Sequence, residues 1–352
     1  MKLFLSFSMT LLVCINLLGQ PNSNKIQNIK VDFTSRQNEY WQEFKVNQIN
    51  TINDKLYVLG KFDTVNSTPC KNAIVFDGLK WRPVPLGNDF VEGHAIIQFR
   101  GNTYISGAWG NGETAGLKML NQNGTWNYVG TGNSPRYYNN PILIGNQNEQ
   151  LIITAMTVFK DELICAGSVG PIGSISENII KWNGTSWSVL TPKENPFRFK
   201  EITDVIVFRE QLYFGGTYGF TGDLFSPLIK LEGDSLIKVV FDKKIGDVTQ
   251  MVVFDNNLII ATDKGLYKWD GNYCTTIISD THINDLFRQN DELYFTRGYE
   301  DRVGVLNQSL QITYINLPYE SNQKGLGFYR GAIVTPFCSG CRTDFIGNFF
   351  KN

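Results

Sequence analysis

Residues 158–167 read Val-Phe-Lys-Asp-Glu-Leu-Ile-Cys-Ala-Gly, and residues 178–187 read Asn-Ile-Ile-Lys-Trp-Asn-Gly-Thr-Ser-Trp. The first stretch is typical of a strand, a tight polar turn and a second strand that ends in glycine. The second is typical of a strand, an Asn-Gly turn and a strand that opens on Trp. Versions of this unit recur along the chain, and the residues that open the second strand of successive copies are Leu56, Thr103, Leu163, Leu212, Leu258, Leu293 and Ala332. Copies spaced 35 to 60 residues apart match four-stranded blades, so the sequence predicts an all-β protein with the β-propeller fold.

Seven copies predict seven four-stranded blades, with six as the alternative because the last copy is weak. That copy, residues 328–350, has no Trp-bearing fourth strand. Residues 38–44 resemble such a strand but precede the first blade. We therefore expect this N-terminal strand to complete the last blade and close the ring, which would remove an exposed sheet edge. The predicted organisation is a signal peptide over 1–19, a lead-in over 20–37 and one propeller domain over 38–352.

The motif resembles a known class of repeat. Leu-Tyr-x-x-Gly followed by Ile-x-Lys-Trp-Asn-Gly-x-x-Trp is similar to the kelch-like repeats of secreted bacterial propellers, which in turn resemble propellers of the galactose-oxidase type. The resemblance covers nearly the whole mature chain. It implies the fold and leaves function open, because propellers serve as binding proteins, scaffolds and enzymes.

The N-terminus predicts export. Lys2 precedes an apolar stretch over 3–18 and a small residue, Gly19, which is typical of a secretory signal cleaved before Gln20. A lipid anchor on Cys14 is the alternative. The expected location is secreted, periplasmic or cell-surface, with no transmembrane segment in the mature chain. Loss of Lys2 leaves 31 basic and 33 acidic residues, so no basic surface is predicted for nucleic acid, and a monomer is expected.

The long loops are expected to share one face of the propeller, opposite the tight turns. Binding residues usually lie on such loops. The aromatic candidates for a sugar or peptide platform are Trp109, Tyr137, Tyr138, Tyr218 and Phe220, and the polar candidates beside them are Arg136, Asp223 and Arg297. Packing among the loops is the structural alternative for all of these residues.

Two histidines, His94 and His282, each stand five residues before a phenylalanine that is expected to end the innermost strand. Other copies place Asn47, Thr154, Thr203 and Thr249 there, which predicts a polar ring in the central channel. The ring is interpreted as either a ligand site or the lining of a wet channel. Two histidines on separate blades do not make a metal site, so no metal and no cofactor are expected.

Cys338-Ser339-Gly340-Cys341 is interpreted as a local disulfide or as two free thiols, since no second such motif exists to build a zinc site. Cys165, within a second strand, is expected to be a small core residue.

Three functions fit this sequence. A non-enzymatic binding propeller with a protein or glycan partner is favoured, because no nucleophilic triad or cofactor motif is present. A carbohydrate-cleaving propeller with carboxylates such as Asp223, Glu300 or Asp301 is the first alternative. A structural component of a surface assembly is the second.

Overall fold

A computed structural model describes residues 7–15, 27–35, 45–65, 68–88, 90–109, 116–129, 150–170, 179–190, 199–218, 226–298, 300–321, 325–329 and 332–337. These residues form thirty β-strands in chain order, arranged in seven antiparallel sheets.

Six sheets have four strands each, and each is one blade. Blade 1 contains β3 (Lys45–Ile52), β4 (Lys55–Lys61), β7 (Ala73–Phe76) and β8 (Trp81–Pro83), with the short hairpin β5 (Thr64–Val65) and β6 (Thr68–Pro69) inserted between its second and third strands. Blade 2 contains β9 (Phe90–Phe99), β10 (Asn102–Trp109), β11 (Leu117–Leu120) and β12 (Trp126–Tyr128). Blade 3 contains β13 (Gln150–Phe159), β14 (Glu162–Gly170), β15 (Ile179–Trp182) and β16 (Trp187–Val189).

The other three blades repeat this order. Blade 4 contains β17 (Phe199–Phe208), β18 (Gln211–Tyr218), β19 (Leu228–Glu232) and β20 (Ser235–Lys238). Blade 5 contains β21 (Val248–Phe254), β22 (Asn257–Thr262), β23 (Gly265–Trp269) and β24 (Cys274–Ser279). Blade 6 contains β25 (Ile283–Gln289), β26 (Glu292–Arg297), β27 (Glu300–Asn307) and β28 (Ile312–Ser321).

The all-β propeller prediction is confirmed, but the prediction of seven four-stranded blades was wrong. The structure has six such blades. Within the described residues, the seventh copy supplies the hairpin of β29 (Gly327–Tyr329) and β30 (Ala332–Phe337). Its sheet continues through β1 (Phe7–Ile15) and β2 (Gln27–Ser35) to the hairpin β5–β6, so the described strands next to β30 come from the N-terminus.

The N-terminus departs from expectation as well. The strand expected to close the ring, residues 38–44, lies outside the described residues. In the full chain, β1 pairs with β30, with Leu12 opposite Thr335. This strand falls within the predicted signal peptide, whose cleavage stays a prediction.

The turns inside the blades follow the predicted chemistry. In blades 1 to 5 the innermost strand reaches the next strand through a two-residue turn in which both residues have positive φ, as at Asn53 (φ 50°) and Asp54 (φ 59°). Such turns match the right-handed twist of the strands they connect. The prediction that the fourth strand opens on Trp is confirmed at Trp81, Trp126 and Trp187.

The core lies between blades. Leu163, Cys165 and Trp182 of blade 3 pack with Phe99 and Tyr104 of blade 2, and equivalent clusters separate the other blades. Adjacent blades therefore share one apolar layer, and their innermost strands are held in a rigid ring around the channel. Among the described residues, no helix is long and apolar enough to cross a membrane.

Candidate functional site

The channel at the centre of the ring contains a cavity of about 200 Å³. Its walls come from the innermost strand of each blade and from Leu326 of the seventh copy. These strands start at the long-loop end and finish at the tight turns, so residues early in each strand lie towards the long-loop face. A concave site of this kind is the default candidate for ligand binding.

The innermost strand of each of the six blades carries a β-bulge, six residues before the first residue of its tight turn. The register shifts between Val46 and Gln48 in blade 1 and between Ile153 and Ala155 in blade 3, and the other blades shift at the equivalent place. A bulge leaves one residue unpaired and re-aims its side chain. The bulged residues, called here the polar row, are Asn47, His94, Thr154, Thr203, Thr249 and Asn284.

Most of the polar row ties each blade to the next. Thr203 Oγ1 donates to the backbone oxygen of Val248 at 2.6 Å, and Thr249 Oγ1 donates to that of Ile283 at 2.8 Å. Asn47 Nδ2 donates to Gly93 O at 2.8 Å, and Thr154 makes the same type of bond. The polar ring predicted from sequence therefore exists, and at these four positions it has a structural role.

The residues that follow the bulges form a second row, called here the acceptor row: Gln48, Ala95, Ala155, Asp204, Gln250 and Asp285. Where the side chain has an oxygen, it accepts a backbone N–H from the next blade. Gln48 Oε1 accepts from Ile96 N and Asp204 Oδ2 from Met251 N, both at 2.6 Å. Asp285 Oδ2 accepts from both Gly325 N and Leu326 N at 2.6 Å.

Blade 2 departs from this arrangement. In four other blades, the polar-row side chain donates to a backbone oxygen of the next blade. In blade 2 the corresponding acceptor is Ile153 O, and the donor is Ser106 Oγ at 2.9 Å. His94 instead lies beside Asn47, with Nδ1 3.4 Å from Asn47 Nδ2, and 13% of its side chain is exposed. The only histidine in the polar row thus stands where a serine performs the structural task.

His94 also approaches Glu92, with 4.0 Å between Nδ1 and Oε1. The same oxygen accepts from Asn47 Nδ2 at 2.8 Å and from Lys45 Nζ at 3.4 Å. Burial raises the pKa of Glu92, but His94, Asn47 and Lys45 together outweigh it, so this pKa lies below its ordinary value. Glu92 is therefore a carboxylate at neutral pH and a poor proton donor.

His282 is not the counterpart of His94, contrary to the sequence alignment. Phe287, used as the alignment mark, pairs with Tyr294, whereas the residue that ends β25 next to the turn is Gln289. The bulged residue of blade 6 is consequently Asn284, two positions further on. His282 is exposed at the long-loop end of the blade, where its backbone oxygen accepts from Gly298 N at 3.0 Å.

The structure places part of the predicted loop site. Trp109 ends β10 and Tyr218 ends β18, so both lie at the long-loop end of a second strand. The candidates that lie outside the described residues are Arg136, Tyr137, Tyr138, Phe220 and Asp223, together with the possible disulfide partners Cys338 and Cys341. Their roles stay predictions.

Arg297 belongs to a charged cluster on blade 6. Its Nε and Nη2 bind Glu300 Oε2 and Oε1 at 2.9 and 2.8 Å, and Arg302 Nε binds Oε2 at 2.8 Å. Both guanidinium groups lie over the ring of Tyr314, at 5.3 and 4.3 Å from its centre. Burial raises the pKa of Glu300, but Arg302 and Arg297 outweigh it and hold the pKa below its ordinary value. Glu300 is therefore unsuited to the role of a catalytic acid.

Replacing Glu300 with Gln is expected to reduce stability in a pH-dependent way. Because the folded pKa lies below the ordinary 4.5, the carboxylate stabilises the fold fully above that pH and loses its contribution as the pH falls. We expect a loss of about 1 kcal/mol at pH 7. Urea unfolding of parent and variant between pH 3 and 7 measures it, and a difference that stayed constant across this range would contradict the assignment.

Three cysteines of the blades are structural. Cys70, Cys165 and Cys274 are buried and not in disulfides. Burial raises the pKa of Cys70 to about 12 and that of Cys274 to about 11 and also raises that of Cys165, so none is a reactive thiolate. The core role predicted for Cys165 is confirmed. Within the described part of the chain, no group of three or more His, Cys, Asp or Glu side chains is placed to hold a metal ion.

Sequence reasoning missed the acceptor row and Ser106. One signal was available: aligning the innermost strands on their two-residue turns, and not on phenylalanine, brings Gln48, Asp204, Gln250 and Asp285 into one column.

No protein-family model matches the sequence, and no curated protein matches it. Solved structures of β-propeller proteins do match. A streptogramin B lyase aligns with a TM-score of 0.54 and 11% identity over 83% of this chain and 93% of its own. YCF48 bound to a D1 peptide gives 0.52 and 13% over 84% and 92%.

The extracellular domain of a proposed one-component system from B. thetaiotaomicron gives a TM-score of 0.56 and 11% identity over 83% of this chain. The match spans 38% of that protein. At such identities these comparisons establish the fold alone.

Proposed function

We propose that the protein is an exported, non-enzymatic binding propeller whose long-loop face recognises a protein or glycan partner. The observation that carries the proposal is the state of the carboxylates at the channel. Asp204 and Asp285 accept backbone N–H groups of neighbouring blades, and Glu92 is held by Asn47 and Lys45. Carboxylates engaged in this way hold the ring together and are poor general acids.

A carbohydrate-cleaving enzyme needs two carboxyl groups with different protonation states at a defined separation. Glu300, one of the candidates for that role, is fixed as a carboxylate by two arginines. This favours binding over catalysis. Turnover of a glycan by the purified protein, abolished by substitutions on the long-loop face, would overturn the proposal.

The finer assignments belong to the same proposal. The repeat is of the kelch-like kind, residues 1–19 are a signal peptide, and the mature chain begins near Gln20. The chain acts outside the cytoplasm without a cofactor. The extracellular propeller from B. thetaiotaomicron is compatible with such a role for this fold.

Replacing Trp109 and Tyr218 together with Ala is expected to weaken partner binding at least tenfold. Both residues stand at the long-loop end of their blades, and aromatic side chains supply much of the contact area in binding sites. A glycan array followed by titration calorimetry measures the loss, and cross-linking to a captured protein replaces the array if no glycan binds.

Tyr273→Ala is the matched control. This aromatic residue is 77% exposed in a tight turn of blade 5, on the opposite face. It should bind as the parent does. Equal binding by the parent and the double variant, with loss in Tyr273→Ala, would move recognition to the tight-turn face.

A further inference from the structure

The acceptor row is interrupted at two adjacent blades. Four of its members carry a side-chain oxygen, whereas Ala95 of blade 2 and Ala155 of blade 3 do not. Both alanines line the channel cavity. Two short side chains in place of Gln or Asp leave a recess in this part of the wall. We call the space lined by His94, Ala95, Thr154, Ala155 and Met156 the recess.

The interruption also changes the hydrogen bonding of two backbone amides, Met156 N and Val205 N, and the second of them donates to Asp204 Oδ1 of its own blade at 2.8 Å. The equivalent amides of Ile96, Met251 and Leu286 each donate to an acceptor-row side chain of the preceding blade at 2.5 to 2.6 Å. The methyl side chain of Ala95 has no atom that can accept from Met156 N. The recess therefore presents a backbone donor, which is costly to bury without a partner.

His94 completes the polar part of the recess. Its place in the inter-blade bonding is taken by Ser106, and its ring nitrogens can donate or accept according to tautomer. Thr154, in contrast, donates to the next blade like the other threonines of the polar row. One backbone donor and one histidine thus lie together at the point where the wall is set back.

Charge narrows the ligand class. The residues that line the cavity include Asp204 and Asp285 and no Lys or Arg, so an anion would face two carboxylates without a fixed positive charge. Each carboxylate is in turn compensated by amides: Asp285 accepts three and Asp204 two. A cation therefore gains less than the formal charges suggest. A neutral group with both hydroxyl donors and oxygen acceptors fits best.

The volume of the cavity limits the class of ligand further. A cavity of about 200 Å³ is smaller than the roughly 300–1,000 Å³ typical of sites for drug-sized ligands. We propose that the recess is the seat of a neutral, hydroxylated group of monosaccharide size, such as the terminal sugar of a glycan. This inference rests on the proposed function, of which it specifies the glycan form.

The test is to restore a side-chain acceptor to the acceptor row at Ala95. Ala95→Gln places at blade 2 the side chain that blade 1 carries at Gln48, so it should fill the recess and accept from Met156 N. Saturation-transfer NMR and titration with glucose, galactose, mannose and N-acetylglucosamine are the readouts, with choline as the cationic probe and acetate as the anionic probe. We expect the parent to bind at least one neutral sugar and Ala95→Gln to bind it at least tenfold more weakly. Its Tm should rise by about 1–2 °C because one more amide is paired.

Val158→Gln is the matched control, since it adds the same side chain to the neighbouring strand β13 at a position that is 38% exposed near the tight turns. It should bind as the parent does. The proposal is overturned if no neutral sugar binds the parent, if Ala95→Gln binds the sugar as well as the parent does, or if only choline or acetate binds. In each of these cases, partner loss in the Trp109/Tyr218 variant would still support the proposed function.

Discussion

Asp285→Ala is expected to lower the free energy of unfolding by about 3–4 kcal/mol. The carboxylate is 8% exposed and accepts from Leu286 N at 3.0 Å and from Gly325 N and Leu326 N at 2.6 Å. Alanine would leave these buried donors without that partner, and hydrogen bonds to a charged group are the stronger kind. Urea denaturation followed by circular dichroism measures the change.

Gln48→Ala is the control for this substitution. It removes one acceptor-row bond, to Ile96 N, and should cost about 1 kcal/mol. Asp285→Asn keeps an accepting oxygen and should fall between the two. If all three variants unfolded at the same urea concentration, the prediction that Asp285 contributes more to stability than Gln48 would be wrong.

The large effect follows from the position of Asp285 in the ring. Gly325 and Leu326 introduce β29, the first strand of the incomplete seventh copy. Phe328 of that strand stacks on Phe287 of blade 6, and Thr51 of blade 1 donates to the backbone oxygen of Phe328 at 2.5 Å. The seventh copy therefore joins blade 6 to blade 1, and Asp285 holds one side of that junction. Loss of this contact should weaken the junction between blade 6 and blade 1, which depends on the short hairpin of the seventh copy.

The repeat was readable from sequence because it is local. Each copy carries its own turn and its own apolar alternation, and all seven residues used to align the copies lie in second strands. The number of complete blades was not readable. It depends on how the ends of the chain pair, and that pairing is not local: Leu12 lies opposite Thr335 across nearly the whole sequence.

The candidate site was predicted in part, for a related reason. The polar row was found because most of its members share a spacing to the strand end. His282 was misplaced because Phe287 precedes the end of β25 by two residues. The recess could not be found by searching for reactive side chains, since its defining residues, Ala95 and Ala155, have none. It becomes visible only when each blade is compared with its neighbours at the same bulge.

Gly167→Ala is expected to cost at least about 3 kcal/mol. A Cβ at this position would lie 1.8 Å from Ile152 O and 2.9 Å from Thr154 N, both backbone atoms that cannot rotate away. The same close approach recurs at Gly60, Gly107 and Gly216, where the nearest backbone oxygens are 2.0 to 2.2 Å away. This explains why glycine recurs near the end of the second strand in blades 1 to 4. In these four blades glycine lets the innermost strand approach closely at its bulge, whereas Thr262 and Arg297 take the equivalent positions in blades 5 and 6.

Gly233→Ala separates this steric effect from the general cost of losing a glycine. Gly233 has a φ of 58° in a turn of blade 4, and no atom lies within 4 Å of its would-be Cβ. The variant should lose only about 1 kcal/mol, from backbone strain. Thermal unfolding of both variants gives the comparison, and equal losses would contradict the close-approach argument. Because Gly167 lies against the bulge that positions Thr154 at the recess, Gly167→Ala should weaken sugar binding as well, whereas Gly233→Ala should leave it unchanged.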